Sequence, residues 1–135
     1  MLKIIEWKSD YKVGIKEIDE QHKKFHGMLK DFYTVFMNGE DEKVLKEILD
    51  KVAAYALVHF ATEEKYFDKY NYKFSKEHKQ IHSDMKSKLS EFMKSYEKKE
   101  AEISVELLSF LIDWFIGHLT IEDRKYAKAF SNLSL

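Results

Sequence analysis

The stretch from His59 to His82 restricts the fold of this chain most strongly, because it carries two pairs of metal-ligating side chains. His59 and Glu63 form the first pair and His78 and His82 the second, each four residues apart. Side chains at this spacing share one face of an α-helix. The polar and aromatic segment 70–73 between the pairs breaks the helical pattern. The sequence therefore predicts a helical hairpin with both ligand pairs at the same end.

Composition narrows the class of protein. The 135 residues carry a formal net charge of −1 and are 44% hydrophobic, which suits one compact domain over residues 1–135 and indicates no nucleic-acid partner. The absence of cysteine excludes disulfides, zinc–thiolate sites and iron–sulfur clusters. The apolar run Leu2–Ile5 is too short for a signal peptide or a membrane span. We therefore expect a cytoplasmic protein without membrane insertion.

Four amphipathic segments with short connections predict an all-α, up-down-up-down antiparallel four-helix bundle. We expect residues 1–18 to form an extended N-terminal arm that packs its aromatics on a bundle of residues 19–130. Asp19 and Ser75 have the character of N-caps for the first and third helices. The first helix should end at Asn38 and Gly39, the second should run from about Asp41 to Asp68, and the fourth should carry Ile103 to His118.

In such a bundle five histidines should meet in one layer, since each lies on an apolar stripe at the same end: His22, His59, His78, His82 and His118. A single histidine on such a stripe is more often a satisfied core residue than a ligand. Five buried imidazoles without an ion, however, would each need a hydrogen-bond partner. His26 is expected at the edge of the first stripe rather than among the ligands.

Two carboxylates are candidates to join this layer. Glu63 shares a helix face with His59. Asp123 follows His118 by five residues, which turns it about 140° away on a regular helix. Spacing alone therefore favours a solvated Asp123, unless the helix bulges or breaks near Gly117.

Five imidazoles and two carboxylates are too many ligands for one ion and suit two. This donor set fits iron, manganese or zinc, and the lack of thiolates argues against copper(I). The Glu-x-x-His pairs of ferritin-like di-iron proteins, the H-E-x-x-H protease motif, glycine-rich phosphate loops and nucleophile elbows do not occur.

With these residues the chain resembles the hemerythrin family, most closely its single-domain bacterial members. The matching segments are Ile18–His22, His59-x-x-x-Glu63-Glu64, His78-x-x-x-His82 and Trp114-x-x-x-His118-x-x-x-x-Asp123-x-x-Tyr126, with Trp7 and Val13-Gly14-Ile15 in the arm. They include a candidate for every ligand of the family's site, in order. The resemblance places Asp123 inside the site, against the spacing.

The resemblance implies an oxo- or hydroxo-bridged pair of non-haem iron ions that binds dioxygen reversibly for storage, transport or delivery. His78, His82 and His118 would hold one iron, His22 and His59 the other, and Glu63 and Asp123 would bridge them. The oxygen pocket would comprise Phe25, Phe60, Trp114, Phe115 and Leu119, and Tyr126 would orient a ligand by a hydrogen bond. Phe115 is larger than the leucine expected three residues before the last histidine, and Phe25 is also bulkier than usual.

The sequence is also compatible with other functions. One is an oxygen- or redox-sensing module, and another is a di-iron enzyme that reduces peroxide or nitric oxide or oxidises ferrous iron. A metal-free helical interaction protein is disfavoured by the clustered histidines. We expect an oxygen-binding metalloprotein rather than an enzyme, with at most weak peroxidase-like or ferroxidase activity. It would be a monomer or weak oligomer, with an oxygen-consuming enzyme as a candidate partner.

Overall fold

The computed structural model describes residues 12–98 and 105–131, without the side chains of Val105, Leu119 and Thr120. The helices are α1 (Lys16–Met37), α2 (Glu42–Lys69), α3 (Ser75–Glu97), α4 (Val105–Gly117) and α5 (Asp123–Ala129), with a π-helical turn, His118–Glu122, that joins the last two. The prediction of an all-α, antiparallel four-helix bundle is confirmed. Its fourth member consists of α4, the π-turn and α5.

The predicted C-terminal end of the first helix and the predicted start of the second agree with the structure. Gly39 follows α1 with a φ of +77°, a left-handed conformation that glycine adopts without strain. The Asp41 side chain caps α2 by accepting a hydrogen bond from the Val44 backbone N–H at 3.0 Å. Ser75, by contrast, is the first residue of α3, and Phe74 occupies the N-cap position. The prediction of a serine cap there is wrong.

Helix α1 begins at Lys16, three residues before the predicted cap. Asp19 lies within its first turn and instead accepts hydrogen bonds from the backbone N–H groups of Val13, at 2.6 Å, and Gly14, at 3.2 Å. An acidic residue suits both places, because the first turn of a helix also favours negative charge. Asp19 therefore ties the preceding segment to the helix.

Several expectations fall outside the described residues. They concern Trp7 and the rest of segment 1–11 of the arm, and the start of the fourth helix at Ile103. Of the arm that is described, Val13 and Ile15 are buried, as expected for a segment that packs on the bundle.

The core consists of two clusters of apolar side chains. The larger one fills the body of the bundle and includes Phe32, Leu49 and Leu108. The smaller one joins the arm to α2 and α5 through Ile18, Phe67, Tyr72, Tyr126 and Phe130, among others. The histidine layer contacts both, since Phe60 of the larger cluster stacks on His82 and Phe67 of the smaller one packs on His78. Among the described helices, none is long and apolar enough to cross a membrane.

Candidate metal centre

Seven side chains converge in the layer between the two clusters, each at most 5% exposed. They form two overlapping groups whose ligating atoms lie within 4.8 Å of one another: Glu63, His78, His82 and His118 in one, and His22, His59, Glu63 and Asp123 in the other. The structure thus brings together all five histidines and both carboxylates that the sequence singled out. His26 is also buried, more deeply than an edge position would suggest, but it belongs to neither group.

Asp123 lies between imidazoles of both groups. Its Oδ1 atom is 3.0 Å from Nε2 of His118 and 3.2 Å from Nε2 of His78. Its Oδ2 atom is 3.0 Å from Nε2 of His22. One oxygen therefore faces each half of the site, which is the arrangement a carboxylate needs to bridge two ions.

Glu63, on α2, also lies between the two ligand groups. Its Oε1 atom is 3.1 Å from Nε2 of His59 and 3.2 Å from Nε2 of His82. Its Oε2 atom accepts a short hydrogen bond from the hydroxyl of Tyr126, which is fully buried. Burial, with the charges of Asp123 and Glu63, raises the pKa of Tyr126 well above its ordinary value, so this phenol stays protonated and donates.

The π-turn explains how Asp123 enters the site. Its backbone N–H bonds the carbonyl of His118 five residues earlier, so the turn contains one residue more than an α-helical turn. Asp123 therefore returns to the face of His118 and is fully buried, whereas Ile121 is 60% exposed. The inference from regular spacing, a solvated Asp123, is wrong, and the alternative of a bulge after Gly117 is correct.

Both carboxylates are ionised in this environment. Burial and the charge of Asp123 act to raise the pKa of Glu63, but His59 and His82 outweigh them and hold that pKa well below its ordinary value. Burial likewise acts to raise the pKa of Asp123, but the contacts with His118, His22 and His78 outweigh it and hold that pKa well below its ordinary value. In return, the charge of Glu63 overcomes the effect of burial and raises the pKa of His59.

The buried polar atoms fit a metal centre better than a network of hydrogen bonds. Nε2 of His22, Oε1 of Glu63 and both carboxylate oxygens of Asp123 have no hydrogen bond of acceptable geometry within the described residues. A buried polar group left in this state costs about 1–3 kcal/mol. Cations coordinated by these atoms would remove that cost, and imidazole with carboxylate suits iron, manganese or zinc.

Two residues to which the sequence reasoning gave no role contact the Nδ1 atoms of ligand imidazoles. Oε1 of Gln21 lies 2.9 Å from Nδ1 of His59, and Oε2 of Glu64 lies 3.0 Å from Nδ1 of His82. Such bonds orient an imidazole so that Nε2 faces the metal. A signal was available, since Gln21 and Glu64 are direct sequence neighbours of candidate ligands.

A cavity of about 10 Å³ adjoins the site, and its lining includes the ligand candidates His22, His59, His118 and Asp123. This is room for a single water-sized molecule. Four of the predicted pocket residues line it, Phe25, Phe60, Trp114 and Phe115, and the fifth, Leu119, has its side chain outside the described part of the chain. Ala56 also lines the cavity, one turn before His59, and the sequence reasoning missed it. Its small side chain leaves space that a larger residue would fill.

Comparison with known proteins agrees with this geometry. The sequence profile of the hemerythrin HHE cation binding domain matches residues 13–130. A bacteriohemerythrin of Pseudomonas aeruginosa is 30% identical over 123 residues, which cover 91% of this chain and 79% of the relative. A bacteriohemerythrin of Clostridium acetobutylicum is 28% identical, over 89% of this chain and 96% of the relative. A crystal structure of wild-type hemerythrin superimposes with a TM-score of 0.88 at 23% identity, covering 96% of this chain and 99% of that one, a likeness of fold.

Proposed function

Since the chain belongs to the hemerythrin HHE cation binding domain family, we propose that it holds two non-haem iron ions and binds dioxygen reversibly, for storage, transport or delivery. The observation that carries the proposal is the pair of overlapping, buried ligand groups that share a carboxylate. We take residues 1–135 as a single domain, which the match over residues 13–130 supports.

We assign His78, His82 and His118 to one ion and His22 and His59 to the other. Glu63 and Asp123 would bridge the two ions. The distances support this division, because the oxygens of Asp123 face both halves of the site and Oε1 of Glu63 lies between an imidazole of each. Such a di-iron centre supplies electrons to dioxygen reversibly when it is loaded.

The protein's own part in this function is to admit a small apolar molecule and keep bulk water away. Both histidines that we assign to the ion with fewer histidine ligands, His22 and His59, line the cavity, whereas His118 alone of the other three does. A diatomic gas in the cavity would therefore be next to the ion at His22 and His59. Aromatic rings form most of its wall. Phe115 packs against Phe25 with ring centroids 4.8 Å apart, which keeps the space small. An apolar, tightly packed wall disfavours the water and protons that would make oxygen binding irreversible.

Metal content with an anaerobic optical titration tests the proposal. The protein is loaded with ferrous iron, exposed to air and then stripped of gas. We expect about two irons per chain and a visible colour that appears with oxygen and fades on its removal. His118→Ala should abolish the colour and lower the iron content, whereas His26→Ala, outside both ligand groups, should retain both.

The outcomes separate the alternatives. Two irons that turn irreversibly ferric in air would contradict a carrier and favour a redox enzyme or sensor. Failure to bind iron in the wild-type protein would refute the metal site. A His118→Ala variant with unchanged iron content and oxygen binding would refute the ligand assignment.

A further inference from the structure

Three polar groups form a hydrogen-bonded chain that ends at Nδ1 of His59. The Thr62 hydroxyl donates to the backbone carbonyl of Val58, one helical turn earlier on α2, at 3.1 Å. The side-chain amide of Gln21, on α1, donates through Nε2 to the Thr62 oxygen at 3.0 Å. The other end of that amide, Oε1, lies 2.9 Å from Nδ1 of His59. A backbone carbonyl is thereby linked to a ligand imidazole through two side chains.

With the Thr62 hydroxyl donating to Val58, the directions of the other hydrogen bonds in this chain follow. A hydroxyl has one hydrogen, and Thr62 uses it on Val58, so its oxygen can only accept. The amide of Gln21 must therefore turn its NH₂ group to Thr62 and its carbonyl oxygen to His59. A carbonyl oxygen cannot donate, so Nδ1 of His59 must carry the hydrogen. Nε2, 3.1 Å from Oε1 of Glu63, is then the nitrogen left to bind an ion, which would displace any hydrogen that Nε2 shares with that carboxylate.

We propose that Thr62, acting through Gln21, is a positioning residue that keeps a hydrogen on Nδ1 of His59 and so reserves its Nε2 as the ligand atom before an ion arrives. The claim about the tautomer rests on hydrogen-bond geometry alone. The claim that Nε2 takes a metal rests on the proposed function. The two claims can therefore fail separately.

In the other half of the site, a carboxylate takes the place of the amide and keeps a hydrogen on Nδ1 of His82. Nδ1 of His82 faces Oε2 of Glu64 at 3.0 Å. An ionised carboxylate only accepts hydrogen bonds, so it fixes the tautomer without a further partner. An amide is ambiguous, because it can present either end, and it needs Thr62 to select one. We therefore expect Thr62 to affect the ion at His59 and to leave the ion at His82 unchanged.

The experiment compares Thr62→Val, which keeps the shape and removes the hydroxyl, with Thr62→Ser, which restores the hydroxyl. Thr34→Val is the matched control, since the Thr34 hydroxyl makes the same bond to a carbonyl four residues earlier, that of Lys30 at 3.0 Å, away from the site. Proton–nitrogen NMR of the imidazole rings in the metal-free protein reports the tautomer. Titration of the full chain with cobalt(II) reports the affinity of each ion.

In the wild-type protein we expect His59 to be protonated at Nδ1 and two cobalt ions to bind. Thr62→Val should leave Nδ1 of His59 without its hydrogen in part of the molecules. It should also weaken the binding of one ion about tenfold, the lower end of the effect of removing such a supporting bond. Thr62→Ser should restore both properties, and Thr34→Val should behave as the wild type. Gln21→Glu should make Thr62 dispensable, because it supplies a carboxylate as on the other side, so Thr62→Val should have no further effect in that background.

Two results would overturn the proposal. One is an unchanged His59 tautomer in Thr62→Val. The other is an equal loss of affinity in Thr62→Val and Thr34→Val, which would assign the effect to the helix rather than to the ligand. A wild-type protein that binds no cobalt or iron would instead refute the proposed function, while the tautomer measurement would still decide the role of Thr62.

Discussion

The hydrogen bond between Tyr126 and Glu63 offers a direct test of how the buried carboxylate is held. Tyr126→Phe removes one oxygen and leaves Oε2 of an ionised, fully buried Glu63 without its donor. A hydrogen bond to a charged group contributes about 1.5–3 kcal/mol to stability, and more when a buried charge is left unpaired. Unfolding entropy of about 2.1 cal/mol/K per residue gives about 0.28 kcal/mol/K for 135 residues. We therefore expect Tm to fall by about 5–11 °C.

Tyr72→Phe is the matched control from the same apolar cluster. Tyr72 is 6% exposed, and burial raises its pKa to about 12, so its hydroxyl is protonated at neutral pH. That hydroxyl has no hydrogen-bond partner among the described residues. Its removal costs no bond, and Tm should stay unchanged or rise slightly.

Thermal unfolding followed by circular dichroism at neutral pH, with and without chelator, measures both variants. Tyr126→Phe should also weaken metal binding about tenfold, because Glu63 loses the bond that orients it. Equal shifts of Tm in the two variants would refute the reasoning, since they would show that the phenol oxygen of Tyr126 contributes nothing beyond its ring.

Three further changes have defined outcomes. Ala56→Val should fill the cavity and lower the dioxygen affinity about tenfold or more at unchanged iron content. Ala53→Val, on the same helix but outside the cavity lining, should leave the affinity unchanged, and oxygen titration measures both. Asp19→Ala should lower the free energy of unfolding by about 1–2 kcal/mol in urea, and an unchanged value would contradict its role in tying the arm to α1. Deletion of Ile121 should leave a folded protein that binds fewer than two metal ions, and Asp123→Glu in that background should restore the second, by metal analysis.

The histidine layer was predictable because it depends on rules that act within one helix. Spacings of three and four placed His59 and His82 on apolar stripes, and short connections then fixed which helix ends meet. The ends of α1 and α2 followed from residues with a strong local preference, Gly39 and Asp41. These features need no knowledge of distant contacts.

The predictions failed or were missed where a residue's role depends on contacts with other parts of the fold and not on its local sequence. Asp19 is an ordinary cap residue by type, but its oxygens bind the N–H groups of Val13 and Gly14, which only the folded arm places within reach. Gln21 is likewise an ordinary polar residue until α2 places Thr62 and His59 beside it. Sequence spacing describes one element at a time and cannot contain such pairings.

The π-turn is the strongest case of this kind, and it explains the outcome expected for the deletion. The extra residue of the turn lets Asp123 occupy the face that a regular helix would give to the residue four after His118. Deletion of Ile121 would place Asp123 four residues after His118, the same spacing that separates Glu63 from His59. It would leave the spacing between Asp123 and Tyr126 unchanged. An aspartate is one methylene shorter than a glutamate, however, so on a regular helix its oxygens would stop about 1.5 Å short of the position that Glu63 reaches. The π-turn and the short carboxylate are therefore a matched pair, and changing both together should cost less than changing the backbone alone.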